Sequence, residues 1–396
     1  MRIHALQMVD RYAGIPLCGV FSLFPRRPRD VRPEGIRSIL VIKMLGMGSI
    51  VVMTPMFRSL RRRFPAARID FLTMRGHAPL SKLYGFADTT HTVDFGSCGR
   101  FVRGNLKSLA AIRKLRYDLV IDAEFYSRYT ALFSYLCRPG TIAGFHSRDI
   151  YRGRLREVRV YFNHYRHMAQ NFLELARRVG APEESAAPTR PELVPAAAAR
   201  VREELAAAGI DPERPYVLLN PHASNVACNI DRRWPLPYFK QVGDFLQEKG
   251  YPAVVVDAPG QGAYTESLIR MSGGVIRRLP REKDLPGLLE LIRGAFLLIT
   301  NDTGPLHLAV SAGTPTFSFF GTETPVLYGY NAFPHTVFFE GLACSPCLSV
   351  LNFKRGRCDL GVRCLAEITP AKVFKSFSDQ EPALREYWVK RKNEIA

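Results

Sequence analysis

Residues Phe296 to Phe320, FLLITNDTGPLHLAVSAGTPTFSFF, constrain the fold of this chain more than any other stretch. The run opens with Phe296-Leu297-Leu298-Ile299, an apolar strand, and turns through Thr300 to Gly304. Pro305 suits the first position of a helix, because the N–H it lacks would have no intrahelical partner there. Leu306, Leu308, Ala309 and Ala312 give that helix apolar contacts, Gly313 can end it in a left-handed conformation, and Thr316 to Phe320 reads as a second buried strand. A strand–turn–helix–strand unit builds a parallel sheet, and such sheets place ligands at the carboxyl ends of their strands. The helix start offers unpaired N–H groups and the positive end of a dipole, which suits a phosphate. Thr303 adds a hydroxyl and His307 an imidazole. Taken alone, the same residues also describe a capped helix over a buried histidine.

The other apolar runs repeat this pattern. Ser38 to Lys43 is a strand, Met44 to Ser49 a glycine-containing turn, Ile50 to Phe64 a helix and Ala67 to Thr73 a strand. Asp118 to Asp122 is a further strand, followed by Glu124, Tyr126 and Arg128. His164 to Val179 reads as a helix, and residues 181–195, with four prolines, as a linker. Beyond it come a helix from Ala196 to Ala208 and strands at Tyr216 to Leu219 and Ala253 to Asp257. A chain of 396 residues suits about two domains.

The formal charge of +19 favours anionic partners: nucleic acid, acidic lipid or a phosphorylated glycan. The basic residues fall in short clusters with no nucleic-acid-binding signature, so nucleic acid is not an expected partner. The segment from Gly144 to Asn163 carries Arg148, Arg152, Arg154, Arg156 and Arg159 with Tyr151 and Tyr161, and suits either a phosphorylated glycan or a solvated face. Tyr12 to Phe24 is a mostly apolar run, too short to span a bilayer, followed by Arg26, Arg27, Arg29 and Arg32. An interfacial anchor on an anionic membrane fits it, as does packing on its own domain; the expectation is that residues 1–33 pack only loosely. There is no convincing signal peptide, and the simplest compartment is a reducing cytoplasm. Cys18, Cys98, Cys137 and Cys228 are isolated and expected to be small buried hydrophobes. Cys344, Cys347, Cys358 and Cys364 lie in one short basic segment, a set that can hold a structural zinc or be redox-active.

Several of these stretches carry a specific resemblance. NDTGPLHLAVSAGTPTFSFFGTETP is similar to the nucleotide-diphosphate loop of glycosyltransferase family 9, the heptosyltransferases. Asn220-Pro221-His222-Ala223-Ser224 and then Arg232-Arg233-Trp234-Pro235 resemble the family's donor loop, with Arg232 at the basic position that contacts the donor. Pro259-Gly260-Gln261 stands where the family commonly has Gly-Pro-x-Glu, so Gln261 replaces the glutamate that meets the ribose. Lys43, Gly48 and Thr54-Pro55 resemble the amino-terminal motif, but Ser49 occupies the position of the family's catalytic aspartate. A serine hydroxyl is a poor base unless activated. Glu124 stands where the family has a glutamine and is the expected replacement base, with Ser49 positioning the acceptor.

The resemblance implies an α/β protein of GT-B architecture, two Rossmann-like domains facing across a cleft. The expected division is an amphipathic, basic segment over 1–35, an acceptor domain over 36–180, the linker 181–195, a nucleotide-sugar domain over 196–368 and a C-terminal helix and tail over 369–396. Donor contacts are expected from Asp302, Thr303, Gly304, Pro305, His307, Arg232, Ser224 and Gln261, and acceptor contacts from Lys43, Gly48 and Arg128. The implied reaction moves a heptose-like sugar from a nucleotide-diphosphate donor such as ADP-heptose to a cell-envelope glycan such as lipopolysaccharide core. It is expected to invert, to need no catalytic metal or other cofactor, and to run at the inner face of the cytoplasmic membrane. A non-catalytic nucleotide-sugar or glycolipid binder and a GT-B sugar epimerase are the alternatives.

Overall fold

The structure is a computed structural model that describes residues 3–24, 33–95, 97–223, 230–279, 284–352 and 354–395. The chain divides into two compact units, Met1–Thr189 with Val350–Lys354, and Arg190–Ser349 with Arg355–Ala396.

In the first unit the strands are β1 (Ser38–Ile42), β2 (Arg68–Met74), β3 (Thr89–Val93), β4 (Leu119–Asp122), β5 (Thr141–His146) and β6 (Val158–Tyr161). The helices are α1 (Ile3–Tyr12), α2 (Gly14–Ser22), α3 (Met47–Val52), α4 (Thr54–Arg63), α5 (Ala78–Leu83), α6 (Cys98–Leu115), α7 (Arg128–Leu136) and α8 (Met168–Arg178). The sheet order is β3-β2-β1-β4-β5-β6 and every neighbouring pair is parallel. Ile39, Leu40, Val41 and Ile42 are all buried, as a strand covered on both faces requires.

The second unit has strands β7 (Val217–Asn220), β8 (Ala253–Val255), β9 (Ile276–Arg278), β10 (Leu297–Asn301), β11 (Thr316–Phe319) and β12 (His335–Phe338). Its helices are α9 (Pro195–Ala207), α10 (Leu236–Glu248), α11 (Gly262–Ser272), α12 (Leu285–Gly294), α13 (Gly304–Ala312), α14 (Pro325–Tyr328), α15 (Arg363–Ala366) and α16 (Pro370–Ile395). Its order, β12-β11-β10-β7-β8-β9, is again all parallel and repeats the first unit's topology. Trp234 anchors the core: its ring stacks on Phe319 at 4.1 Å between centroids, and its Nε1 donates to the Ile368 carbonyl at 2.8 Å. Helix α16 belongs to this core through Val373, Phe377 and Leu384.

In both sheets the strand order reverses once, between β1 and β4 and between β7 and β10. Loops leaving the carboxyl ends of such a pair diverge to opposite faces and open a crevice, the usual ligand position in this kind of sheet.

Three local features differ from the sequence reading. The helix expected from Ile50 to Phe64 is two helices, α3 and α4, because Pro55 cannot donate an N–H and its ring excludes the carbonyl of the preceding turn. Residues 181–195 lack regular structure up to the start of α9 yet are pinned: Arg58 donates to Thr189 Oγ1 at 2.7 Å and to the Ala187 carbonyl at 2.9 Å. The described part of the amino-terminal segment is not loosely packed. It forms α1 and α2, and Asp10 caps α7 by accepting from the N–H groups of Arg128 at 3.1 Å and Tyr129 at 2.7 Å. Arg26, Arg27, Arg29 and Arg32 lie outside the described residues. Among the described residues no helix is long and apolar enough to cross a membrane.

Candidate functional site

At the reversal point of the second unit, β10 delivers Asn301 and Asp302, and Thr303 stands in extended conformation as the N-cap of the nine-residue helix α13. The Thr303 side chain does not cap the helix. Its hydroxyl accepts from Asn220 Nδ2 at 2.9 Å, so the first-turn N–H groups of α13 have no side-chain cap. Arg232 reaches the same turn, paired with the Asp302 carboxylate and donating to the Asp302 carbonyl at 3.2 Å. Its charge therefore neutralises Asp302 at the positive end of the helix.

Asp302, Thr303, Gly304 and Pro305 are half-buried. His307 is 4 % exposed, and its Nδ1 meets the Tyr330 hydroxyl at 3.1 Å, so the ring supports the turn from inside. Gln261 precedes α11 and its Nε2 donates to the Ala223 carbonyl at 3.4 Å. His222 beside it is buried, its Nε2 meeting the Val256 carbonyl at 3.1 Å, and burial holds its pKa below the usual imidazole value. Ser224 and Cys228 lie outside the described residues.

Asn301 escaped the sequence reading. Its Oδ1 accepts from the Trp234 N–H at 2.8 Å while its Nδ2 donates to the carbonyls of Pro221 at 2.9 Å and His222 at 3.2 Å. One buried amide thus ties both donor-side loops to the end of β10. The signal was available: an amide closing an apolar strand is paid for only when its hydrogen bonds are met.

At the reversal point of the first unit, Glu124 Oε1 accepts from the N–H groups of Met44 and Leu45, both at 2.8 Å, and Oε2 pairs with Lys43 Nζ at 2.9 Å. Lys43 Nζ also donates to the Leu45 carbonyl at 2.7 Å. Glu124 is 1 % exposed and Lys43 2 %. This geometry differs from what a base or an acceptor contact needs: both groups face inward and hold the loop after β1. Gly46 in that loop has φ +86°, and a Cβ there would come within 3.0 Å of Ser49 Oγ. Gly48 is buried and Ser49 half-buried in the first turn of α3. Arg128, expected to meet acceptor, is also buried; it donates to the Tyr151 carbonyl at 3.0 Å and pairs with Asp10 at 3.6 Å.

His77, absent from the sequence candidates, is half-buried with Nδ1 3.1 Å from the Met44 carbonyl. A carbonyl can only accept, so Nδ1 carries the proton and Nε2 is left as the acceptor. Burial, aided by the Lys43 ammonium, holds its pKa below the usual value of 6.5, so the ring is neutral at pH 7.

A cavity of about 330 Å³ lies in the same unit beyond β4, β5 and β6, lined by Phe125, Phe145, His146, Ser147, Arg148, Asp149, Ile150, Tyr161, Phe162, His164, Val350 and Leu351. Burial lowers the pKa of His146 and of His164, in the former with help from Arg156, Arg159 and Arg148. The walls set the aromatic rings of Phe125, Phe145, Tyr161 and Phe162 beside the polar His146, Ser147, Arg148, Asp149 and His164, a mixed lining that suits a small polar ligand, and the guanidinium of Arg148 fits an anionic substituent. The basic segment around it divides: Arg148, Arg154 and Arg159 are exposed, whereas Arg152 and Arg156 are buried. Arg152 pairs with Asp122 and donates to the Glu124 carbonyl at 2.7 Å, and burial drops the pKa of Arg156 to about 9.

The zinc expectation is not supported. Among the described residues no group of three or more His, Cys, Asp or Glu side chains is arranged to hold a metal ion. Cys344 is exposed while Cys364 is buried in the second unit's core, where burial raises its thiol to about 11. Cys18 and Cys137 are buried, as expected of small hydrophobes; the Cys98 side chain lies outside the described set.

The sequence profile described as glycosyltransferase family 9 (heptosyltransferase) matches residues 106–354. Lipopolysaccharide heptosyltransferase 1 of Pseudomonas aeruginosa is 26 % identical over 327 residues, covering 78 % of this chain and 86 % of that protein. A family 9 glycosyl transferase from Veillonella parvula superposes with a TM-score of 0.73 at 19 % identity, over 88 % of this chain and 97 % of that one. The E. coli ADP-heptose lps heptosyltransferase II gives a TM-score of 0.68 at 17 % identity, over 90 % and 99 %. These two solved structures share the fold, which is GT-B. With more than half of its length matched by the family profile, the chain belongs to glycosyltransferase family 9, the heptosyltransferases, and is a glycosyltransferase.

Proposed function

We propose that the protein transfers a heptose-type sugar from an ADP-heptose-like donor to a hydroxyl of a lipopolysaccharide-core glycan, with inversion and without a catalytic metal. The relatives named above act on such molecules by their names, and the observation that carries the donor half is Arg232 on Asp302 at the uncapped start of α13. A guanidinium has five N–H donors in a planar fork, so Arg232 can hold Asp302 and a phosphate oxygen together. The helix N–H groups and dipole meet the rest of the diphosphate, and together they stabilise the charge that develops on it as the glycosidic bond breaks. Thr303 orients the nearest phosphate, and Gln261, as N-cap of α11, meets the ribose hydroxyls.

On the acceptor side the loop from Met44 to Ser49 is the working surface. Glu124 and Lys43 hold it in place from behind, and Ser49 positions the attacking hydroxyl. His77 Nε2 takes the proton as the acceptor oxygen attacks the anomeric carbon from the face opposite the diphosphate. A neutral imidazole is the form that accepts a proton, and a positioned base gives about a hundred- to ten-thousand-fold. The aromatic cavity with Arg148 holds a neighbouring phosphorylated sugar of the acceptor.

Calorimetric titration with ADP and ADP-heptose tests the donor half. Arg232→Met and Thr303→Val are each expected to weaken binding, Arg232→Met by about tenfold or more, because a hydrogen bond to a charged group is worth about 1.5–3 kcal/mol. Wild-type affinity in both variants would overturn the assignment.

A further inference from the structure

Helix α2 and the residues flanking it, AGIPLCGVFSLF over 13–24, contain no charged side chain. A helix that is apolar on every side belongs inside a protein core or against lipid. Here the described residues cover only one side. Gly14 and Cys18 are buried against the first unit, and a Cβ on Gly14 would meet Arg128 Cβ at 2.8 Å, so only glycine allows this approach. The Arg154 N–H donates to Ser22 Oγ at 2.8 Å, the Tyr135 hydroxyl donates to the Phe24 carbonyl at 2.7 Å, and Phe21 packs edge-on against Tyr135 with centroids 5.3 Å apart. The other side carries Tyr12, Leu17, Val20, Leu23 and Phe24 in solvent, with Leu23 75 % and Phe24 64 % exposed. Isolated exposed apolar residues need no explanation, but a contiguous set on a locked helix marks a surface that meets something apolar.

We infer that this exposed face of α2 and its flanking residues inserts into the interfacial layer of an anionic membrane and holds the enzyme there. Nine residues of helix rise only about 14 Å, against roughly 30 Å of hydrocarbon, so α2 lies in the plane of the interface. Charge selects the kind of membrane. Arg26, Arg27, Arg29 and Arg32 follow Phe24 directly in sequence, and the last of them is at most about 28 Å of extended chain from it. A Lys or Arg near an anionic surface strengthens binding several-fold, and the four arginines within eight residues of Phe24 in sequence favour anionic lipid. The chain's net charge of +19 acts in the same direction. The role of this face is independent of which sugar is transferred, because none of its exposed residues belongs to the proposed donor or acceptor site.

The test is co-sedimentation of the full-length protein with phosphatidylcholine vesicles and with phosphatidylcholine–phosphatidylglycerol vesicles, at low and high salt. The wild type is expected to bind the anionic vesicles more tightly, and less so at high salt. Leu17→Glu with Leu23→Glu should lower the binding constant at least about tenfold, with the melting transition of the first unit unchanged as the check on folding. Replacing Arg26, Arg27, Arg29 and Arg32 by serine, which leaves α2 untouched, should lower binding to anionic vesicles about tenfold or more and weaken its salt dependence. A wild type that stays in the supernatant with both vesicles overturns the inference, as does equal binding to both or unchanged binding by the glutamate variant. A wild-type dimer in sedimentation velocity that the glutamate pair dissociates, without vesicle binding, assigns the face to a second copy and likewise overturns it.

Discussion

Replacing Glu124 by glutamine separates a loop clamp from a catalytic base. The variant keeps one oxygen that can accept from the Met44 and Leu45 N–H groups but leaves Lys43, 2 % exposed, without its anion. Removing one partner of a buried pair costs about 3–5 kcal/mol. Lys43 retains the Leu45 carbonyl at 2.7 Å and the Phe125 ring at 5.4 Å, so the lower end, about 3 kcal/mol, applies. At about 2–4 °C per kcal/mol for a unit of this size, the melting transition of the first unit should fall by about 6–12 °C. Lys43→Met combined with Glu124→Leu removes both charges and should recover part of the loss, since well-packed apolar pairs often replace buried ion pairs at little cost. His77→Gln is the counterpart. Its amide can still donate to the Met44 carbonyl, so the transition should move by less than about 2 °C while kcat falls about a hundredfold or more. Scanning calorimetry and steady-state transfer kinetics on the same preparations decide. Glu124→Gln with an unchanged transition and a hundredfold loss of kcat, beside an active His77→Gln, would refute the clamp and restore Glu124 as the base.

Acid should destabilise both units through half-buried histidines. His167 Nδ1 caps α8 by accepting from the Ala169 N–H at 3.3 Å, and burial drops its pKa from 6.5 to about 4. Its folded pKa lies below the unfolded value, so its contribution is complete above pH 6.5 and is lost as pH falls toward 4. His167→Gln should flatten the fall of the first unit's transition across that window. His335, pushed by burial to about 4 beside Thr316 Oγ1, should act the same way in the second unit, and calorimetry of His335→Gln from pH 7 downward would expose an unaltered slope if it does not.

The parts of this protein that were legible in sequence are those set by near neighbours. Ile39 to Ile42 and Phe296 to Ile299 read as strands because strands buried on both faces are continuous apolar runs. The turn from Asn301 to Pro305 declared a helix start because its residue types do so locally. What stayed hidden depends on distant pairing. Glu124 meets Met44 across 80 positions, which turns the expected base into an internal clamp. Asp10 meets Tyr129 across 119 positions, which docks a segment that reads as detached. Asn301 ties Pro221 and Trp234 across 80 and 67 positions, so its role exists only in the folded sheet. Arg128, Arg152 and Arg156 looked like a ligand-facing basic surface, and their burial follows from carbonyls and carboxylates that only the fold brings to them.

The most direct test incubates the purified protein with ADP-heptose and a heptose-free lipopolysaccharide core in the presence of a metal chelator. Mass spectrometry follows the acceptor, and NMR reads the new glycosidic bond. The expected result is an acceptor heavier by one heptose, an anomeric configuration opposite to that of the donor, and a rate that the chelator does not change. Donor that binds while the acceptor remains unmodified, a product of retained configuration, or transfer abolished by the chelator would contradict it.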